Sequence, residues 1–409
     1  MTITFPLPSE CYFKNTSIIA MASPFDPLIQ LGKHYNEPLL LFSQEKLDDP
    51  YLFAIDEAYN DLCGLIISSS CTPVEAASPL IFNVNNLLKS RIKSFEDIGA
   101  GLNWRCFVKN IARLLFEKIS LLDAQHSSNC IINTESELLN GIAFRESGFF
   151  TFWFTSDDIY ILKKELKPIL SALKTRVLEG QSSRAVLSQN KMPRSIVETL
   201  QRMFDRSGIL SAVSLGIGAS ANLSGFALEI SVPHATWWVN RFPEGQNKPA
   251  RTAYFHRDES CLVPKALLYL SDVEDDSGPF SVCPASFKQE TSPVVAAASR
   301  VFWHPHNLPE NTLDKYQVIQ FTDNLPKELN VNSHYGFDLP DNTSASDAIL
   351  NDETIFCGHS GTCVVFDGYN LLHRGGLCRN SPRIALQVML PLHIPTFNKW
   401  MQVLSESAL

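Results

Sequence analysis

The pattern of apolar and polar positions changes character about a third of the way along the chain. Over residues 103–125, Phe107, Ile111, Leu114, Leu115 and Ile119 recur at spacings of three and four, which predicts an amphipathic helix with one buried stripe. Looser helix-like patterning covers residues 45–69, and the polar stretch 127–136 marks a boundary. From Gly141 the run GIAFRESGFFTFWF reads as strand. TSDDIYILKKELKPILSALKTRVL then opens on Thr155 or Ser156 as N-cap, carries acidic residues in its first turn, and predicts a helix to about Leu178. PRSIVETLQRMFDRSGILSAVSLG predicts one more helix, stopping near Gly216. Short β-rich runs follow: GFALEISV, ATWWVNRF, TAYFHRD, KALLYLSDV, FSVCPAS, GTCVVFD and RIALQVMLPL. Helices succeeded by many short strands predict a curled sheet or barrel covered on one side by helices. Residues 287–361 break the rhythm with Pro, Asn, Asp and Ser; so long a connection within a compact domain is a lid, a binding loop or a partly disordered segment.

Composition narrows the classes of function. With 409 residues and 45% hydrophobic content, the chain can bury one or two sizeable cores. The net charge of -9, without any block of Lys or Arg, leaves no footprint for a nucleic-acid backbone or an anionic membrane surface. A small-molecule substrate is the better expectation. No apolar run reaches the length of a membrane span, and the first residues lack the pattern of a secretory signal. Ten cysteines, scattered without a C-x-x-C pair, fit a reducing cytosol, so the expected location is cytoplasmic.

The chemistry concentrates in AYFHRDES. On a strand, positions i and i+2 share a face, so His256 and Asp258 can reach one point, and a metal ion is the natural occupant of that point. FDGYNLLHRGG supplies a third ligand, His373, 117 residues later (373 - 256). Two imidazoles and one carboxylate on one face of an iron leave three positions open, the arrangement of non-haem Fe(II) oxygenases that take a bidentate cosubstrate and O2. Arg383, ten residues past His373 on the next predicted strand, is placed to grip a carboxylate with its fork while the far end of the same molecule chelates iron. That describes 2-oxoglutarate.

HRDES, PKALLYLSDVEDDSGPFSVCPASFK, GTCVVFDGYNLLHRGG and the following Arg383 together resemble, in order and spacing, the phytanoyl-CoA dioxygenase-like family of Fe(II)/2-oxoglutarate-dependent oxygenases. The resemblance covers about residues 141–392. It implies a mainly β fold with flanking helices, a double-stranded β-helix (jelly-roll, cupin-like) core at residues 136–409 with an insertion at 288–358. Residues 1–135 are expected to form a largely helical N-terminal extension outside it. It further implies His256, Asp258 and His373 as iron ligands and Arg383 as the 2-oxoglutarate anchor, with succinate and CO2 released as a small-molecule C–H bond is hydroxylated. Relatives carry Ser or Thr two residues after the distal histidine, where this chain has Gly375. A second polar contact for the cosubstrate must then come from elsewhere, and Tyr254 and Asn240 are the candidates.

Asp258 argues for hydroxylation over halogenation, because related halogenases carry a small residue there to make room for halide. The main competing expectation is a catalytically inactive jelly-roll that keeps a metal site and serves as a binding or scaffolding protein. Metal-assisted hydrolysis on the same fold is a third, disfavoured because it has no use for Arg383. Lys265 and Tyr269 share one strand face and either line a pocket or pack. His304 and His306, in the irregular insertion, read as loop residues, and the acidic run ending at Gly278-Pro279 reads as a solvated turn.

Overall fold

The computed structural model describes residues 104–127, 133–178, 184–188, 191–233, 251–287 except 253, and 344–394, together with a few isolated positions. Statements about what is present or absent concern these described residues. The patterned segment 45–69, the run ATWWVNRF with Asn240, and most of the insertion, including His304 and His306, lie outside them.

The predicted N-terminal helix is α1, Trp104–Ser127. Its stripe residues Ile111, Leu114, Leu115 and Ile119 are all buried. α2, Glu135–Ser147, occupies the first half of the run read as strand, so that only β2, Phe149–Trp153, is extended. An N-terminal cap in TESE, close to a capping box, starts the helix: Thr134 Oγ1 accepts from the Glu137 N–H at 3.1 Å, and Glu137 Oε2 accepts from the N–H of Asn133, one residue before the cap, at 2.8 Å. Gly148 closes the helix. α3, Ser156–Leu178, starts as expected, with Thr155 Oγ1 accepting from the Asp158 N–H at 3.2 Å.

The single helix expected next is two: α4, Arg194–Arg206, and α5, Ile209–Ile217. They are divided at Gly208, which has φ 69° and leaves no space for a Cβ, since one would lie 2.5 Å from Glu137 Cγ.

Two antiparallel sheets follow from the β-rich runs. The larger has the order β2-β9-β6-β11-β5-β3, with β3 Arg184–Ser188, β5 Gly225–Ser231, β6 Lys265–Tyr269, β9 Thr362–Phe366 and β11 Arg383–Met389. The smaller has the order β1-β8-β7-β10, with β1 Ile29–Gln30, β7 Phe280–Cys283, β8 Thr354–Phe356 and β10 Leu372–Gly375. β4, Ser220–Ala221, and β12, Leu392–His393, form a separate short pair. The expected strand TAYFHRD is not one: Tyr254 adopts φ 67°, and only His256 pairs, through a single bridge to His373. The irregular stretch 287–361 also contains a helix, α6, Ser344–Asp352, and β8.

Strand alternation sorts the larger sheet into two faces. Phe226, Leu228, Ile230, Ala266, Leu268, Cys363, Val365, Leu386 and Val388 pack with the buried faces of α2 to α5 in one cluster. Tyr269, Val364, Phe366 and Ala385 point the other way and meet Phe280, Val282 and Phe356 of the smaller sheet. Helices therefore cover one side only, and the second face shares an apolar core with the opposing sheet. On that inner face, by the same parity, stand Lys265, Glu229, Ser231 and Arg383. No described helix is long and apolar enough to cross a membrane.

Tyr269 ties the sheets together. Its hydroxyl donates to the Phe356 carbonyl at 2.7 Å and accepts from the Phe280 N–H at 2.8 Å, both buried. Tyr269→Phe is expected to lower unfolding free energy by about 2 kcal/mol, because two buried main-chain groups lose their partner. Urea unfolding checks this, with an unchanged dependence on denaturant concentration.

Candidate metal centre

His373 lies on β10, whose other neighbour is β7, with His373 opposite Val282. On its free edge it exchanges two backbone hydrogen bonds with His256, each N–H to the other's carbonyl at 3.0 Å. This clip brings together segments 117 residues apart and sets their imidazoles with centroids 4.4 Å apart. Arg374, next along β10, points to the opposite side, where its Nε and Nη2 donate to Oε1 and Oε2 of Glu353 at 3.0 and 2.9 Å and its guanidinium lies over the Phe255 ring. His373 points inward between Phe366 and Phe280, at centroid distances of 4.8 and 5.9 Å.

Each imidazole is oriented by its own chain. Nδ1 of His256 lies 2.9 Å from the Tyr254 carbonyl, and Nδ1 of His373 lies 2.9 Å from the Leu371 carbonyl. A carbonyl only accepts, so both Nδ1 atoms carry the proton and both Nε2 atoms present a lone pair, the arrangement that fixes metal-binding histidines. The Asp258 carboxylate faces them, with Oδ1 4.0 Å from His256 Nε2 and Oδ2 3.7 Å from His373 Nε2. One ligand atom from each of the three lies within 4.8 Å of the other two. The main chain holds Asp258 in place through its N–H to the Gly368 carbonyl at 2.7 Å.

Gly368 permits this approach. A Cβ there would stand 1.8 Å from Asp258 Oδ2, so the glycine of FDGYN is required by the neighbouring carboxylate. Asp367 shapes the same turn by accepting from the Tyr369 and Asn370 N–H groups at 3.1 and 3.3 Å.

Electrostatics give the three groups the protonation states that bind a cation. Burial holds His256 well below the usual histidine range; neighbouring His373 adds to this while Asp258 opposes it. Burial lowers His373 as well, against the pull of Asp258. For Asp258, burial acts to raise the pKa, but the Lys265 ammonium and then the two histidines outweigh it and keep the group ionised. Lys265 Nζ is 2.5 Å from Asp258 Oδ1. Two neutral imidazoles with converging lone pairs and one ionised carboxylate fit a first-row divalent ion.

Arg383, at the start of β11, is fully buried. Its Nη1 donates to the Gly278 carbonyl, and its Nη2 donates to Glu229 Oε1 at 3.1 Å and to Ser231 Oγ at 3.4 Å. Its Nε, also buried, has no hydrogen-bond partner among the described residues. Gly375 lets β10 pack closely against the guanidinium, since a Cβ there would come 3.1 Å from Nη2. The acidic turn read as merely solvated thus supplies one carbonyl, Gly278, that seats the arginine.

Of the sequence-derived residues, His256, Asp258 and His373 converge and Arg383 lies on the inner face. Tyr254 packs its ring at a tilt against His256, with centroids 4.5 Å apart, and Asn240 lies outside the described residues. A hydroxyl that the Arg383 fork does bond comes instead from Ser231, two residues from Glu229. Sequence reading passed over both, although EIS carries two polar residues at i, i+2 in an otherwise apolar strand. Lys265, for which pocket lining and packing are equal expectations from sequence, pairs directly with the Asp258 carboxylate. α1 also reaches the site: Ser260, two residues past Asp258, donates to Glu117 Oε2 at 2.8 Å.

The chain matches no family model and no curated protein. Among solved structures it is similar to the non-heme alpha ketoglutarate dependent carbocyclase SnoK from nogalamycin biosynthesis, at 14% identity over 64% of this chain and 84% of that one, TM-score 0.35. It is similar to EctD from S. alaskensis with 2-oxoglutarate and 5-hydroxyectoine, at 13% identity over 64% and 76%, TM-score 0.34. AviO1 from Streptomyces viridochromogenes Tue57 overlaps at 14% identity over 64% and 96%, TM-score 0.34.

Gly368→Ala is expected to push the Asp258 carboxylate aside and weaken divalent-cation affinity about tenfold or more. Titration with Co(II), followed by its visible absorption, checks this, with far-ultraviolet circular dichroism to verify that the fold is kept.

Proposed function

We propose that this chain is an Fe(II)- and 2-oxoglutarate-dependent oxygenase with a jelly-roll core, which hydroxylates a C–H bond of a small molecule using O2. The reading is carried by one juxtaposition: a buried His-Asp-His set with both Nε2 lone pairs and an ionised carboxylate turned to one point, and a buried arginine on the same inner face between the sheets. His256, Asp258 and His373 would hold the iron, and Arg383 would hold the distal carboxylate of 2-oxoglutarate. Bound iron supplies the redox chemistry that couples decarboxylation of the cosubstrate to oxidation of the substrate.

The chain's own residues do the positioning. The Tyr254 and Leu371 carbonyls keep protons on the Nδ1 atoms, so that both histidines present lone pairs at neutral pH. Three protein ligands on one side leave the opposite side for cosubstrate and O2. Phe280, Phe356 and Phe366 pack around the inner face and exclude water there, which confines the reaction to what the site has oriented.

The inactive binding-protein reading draws on one observation, the engagement of the Arg383 fork by Glu229. A site that takes no cosubstrate would keep such an internal pair.

Anaerobic addition of Fe(II) and then 2-oxoglutarate is expected to produce a weak visible charge-transfer band. His256→Ala should abolish it and Arg383→Met should weaken it by raising the 2-oxoglutarate concentration needed. A folded, iron-loaded protein that gives no band at any 2-oxoglutarate concentration would put the binding-protein reading in its place.

A further inference from the structure

Glu229 stands where an arriving carboxylate is expected. On β5 it faces the inner side, two residues from Ser231, in the strand that pairs with β11 so that Arg383 is opposite Ser231 and Ala385 opposite Glu229. Glu229 Oε1 accepts from Arg383 Nη2, and the same oxygen accepts from the Ser231 hydroxyl. Those two donors, a guanidinium and a hydroxyl, are what a distal carboxylate of 2-oxoglutarate would use, the more so because Gly375 brings no hydroxyl of its own. One internal carboxylate therefore engages both.

We infer that Glu229 is a resident competitor for the Arg383 anchor, and that cosubstrate binding requires Glu229 to give up that contact. The inference rests on the reading above, because it concerns how the same site takes a dicarboxylate. Two carboxylates on one buried guanidinium repel each other, so an incoming one meets its anchor only as Glu229 withdraws. The fold holds a cation for the withdrawn group. Arg184 on β3 is the direct cross-strand neighbour of Glu229, on the same sheet face, and its Nη2 donates to Gln387 Oε1 at 3.0 Å. Glu229 thus sits between two arginines, bonded to the one on β11 and adjacent in register to the one on β3. The buried Nε of Arg383, without a partner among the described residues, gives the entering carboxylate a first foothold beside the contested Nη2.

The test is calorimetric titration of 2-oxoglutarate into Co(II)-loaded full-length protein, which binds without turnover. Glu229→Gln should tighten 2-oxoglutarate about tenfold or more, since the amide neither repels the ligand nor holds the guanidinium as an ion pair. Arg184→Gln should weaken it several-fold by removing the cation that receives Glu229. If Glu229→Gln fails to fold, because it leaves Arg383 buried without a counter-charge, Glu229→Asp decides: shortened by one methylene, it should also tighten binding. Metal-dependent binding that the Glu229 variants leave unchanged or weaken would overturn the competitor role alone. Absence of 2-oxoglutarate binding in the wild type but not in Glu229→Gln would support it strongly. Absence in every variant, with Co(II) bound normally, would overturn it together with the assignment of 2-oxoglutarate.

Discussion

Two reciprocal backbone hydrogen bonds between His256 and His373 hold the site together. A loop that is neither strand nor helix is attached by them to the edge of the smaller sheet, and everything else at the centre is arranged around that attachment. Once it exists, the positive φ at Tyr254 turns the Tyr254 carbonyl onto His256 Nδ1, Asp258 is tied back to the Gly368 carbonyl, and the glycine leaves space for its carboxylate. A main-chain contact of this kind is insensitive to side-chain identity, which is why the two imidazoles and the carboxylate can be placed precisely while the chain around them is irregular.

Strand alternation distributes the chemistry. The same period of two that sends Leu268, Val365 and Leu386 to the helices sends Lys265, Glu229, Ser231 and Arg383 to the inner face. Buried charges there are tolerable only in pairs, and they come in pairs: Lys265 with Asp258, Arg383 with Glu229. A divalent ion at the ligand set would add a second cation beside Asp258, and a dicarboxylate a second anion beside Arg383. The charged residues at both ends of the site therefore neutralise one another, and in the proposed reading each ligand would enter by competing with a resident partner of its own sign.

The fold and the site were legible to different depths. The helix stripe at 103–125, the Thr155 cap and most strands follow from periodicity and end signals, because burial and hydrogen bonding leave local traces. α2 was misread since its apolar content resembles β2, and the deciding signal is the T-x-x-E box at 134–137. The break between α4 and α5 is set by Gly208, where tertiary contact with Glu137 dictates the backbone. β3 pairs only with β5 and has little pattern of its own. His256, Asp258, His373 and Arg383 stood out because their residue types and order are rare in combination. Glu229, Ser231 and Gly368 did not, for their significance lies in which distant side chain they face, and no spacing along one strand encodes that.

The most direct measurement is a crystal structure of the protein with Mn(II) and 2-oxoglutarate. The account predicts one ion bound by Nε2 of His256, Nε2 of His373 and a carboxylate oxygen of Asp258, with the distal carboxylate of 2-oxoglutarate on Arg383 and Glu229 moved from that guanidinium toward Arg184. An ion held by other residues, or 2-oxoglutarate absent with the ion in place and Glu229 still on Arg383, would contradict it.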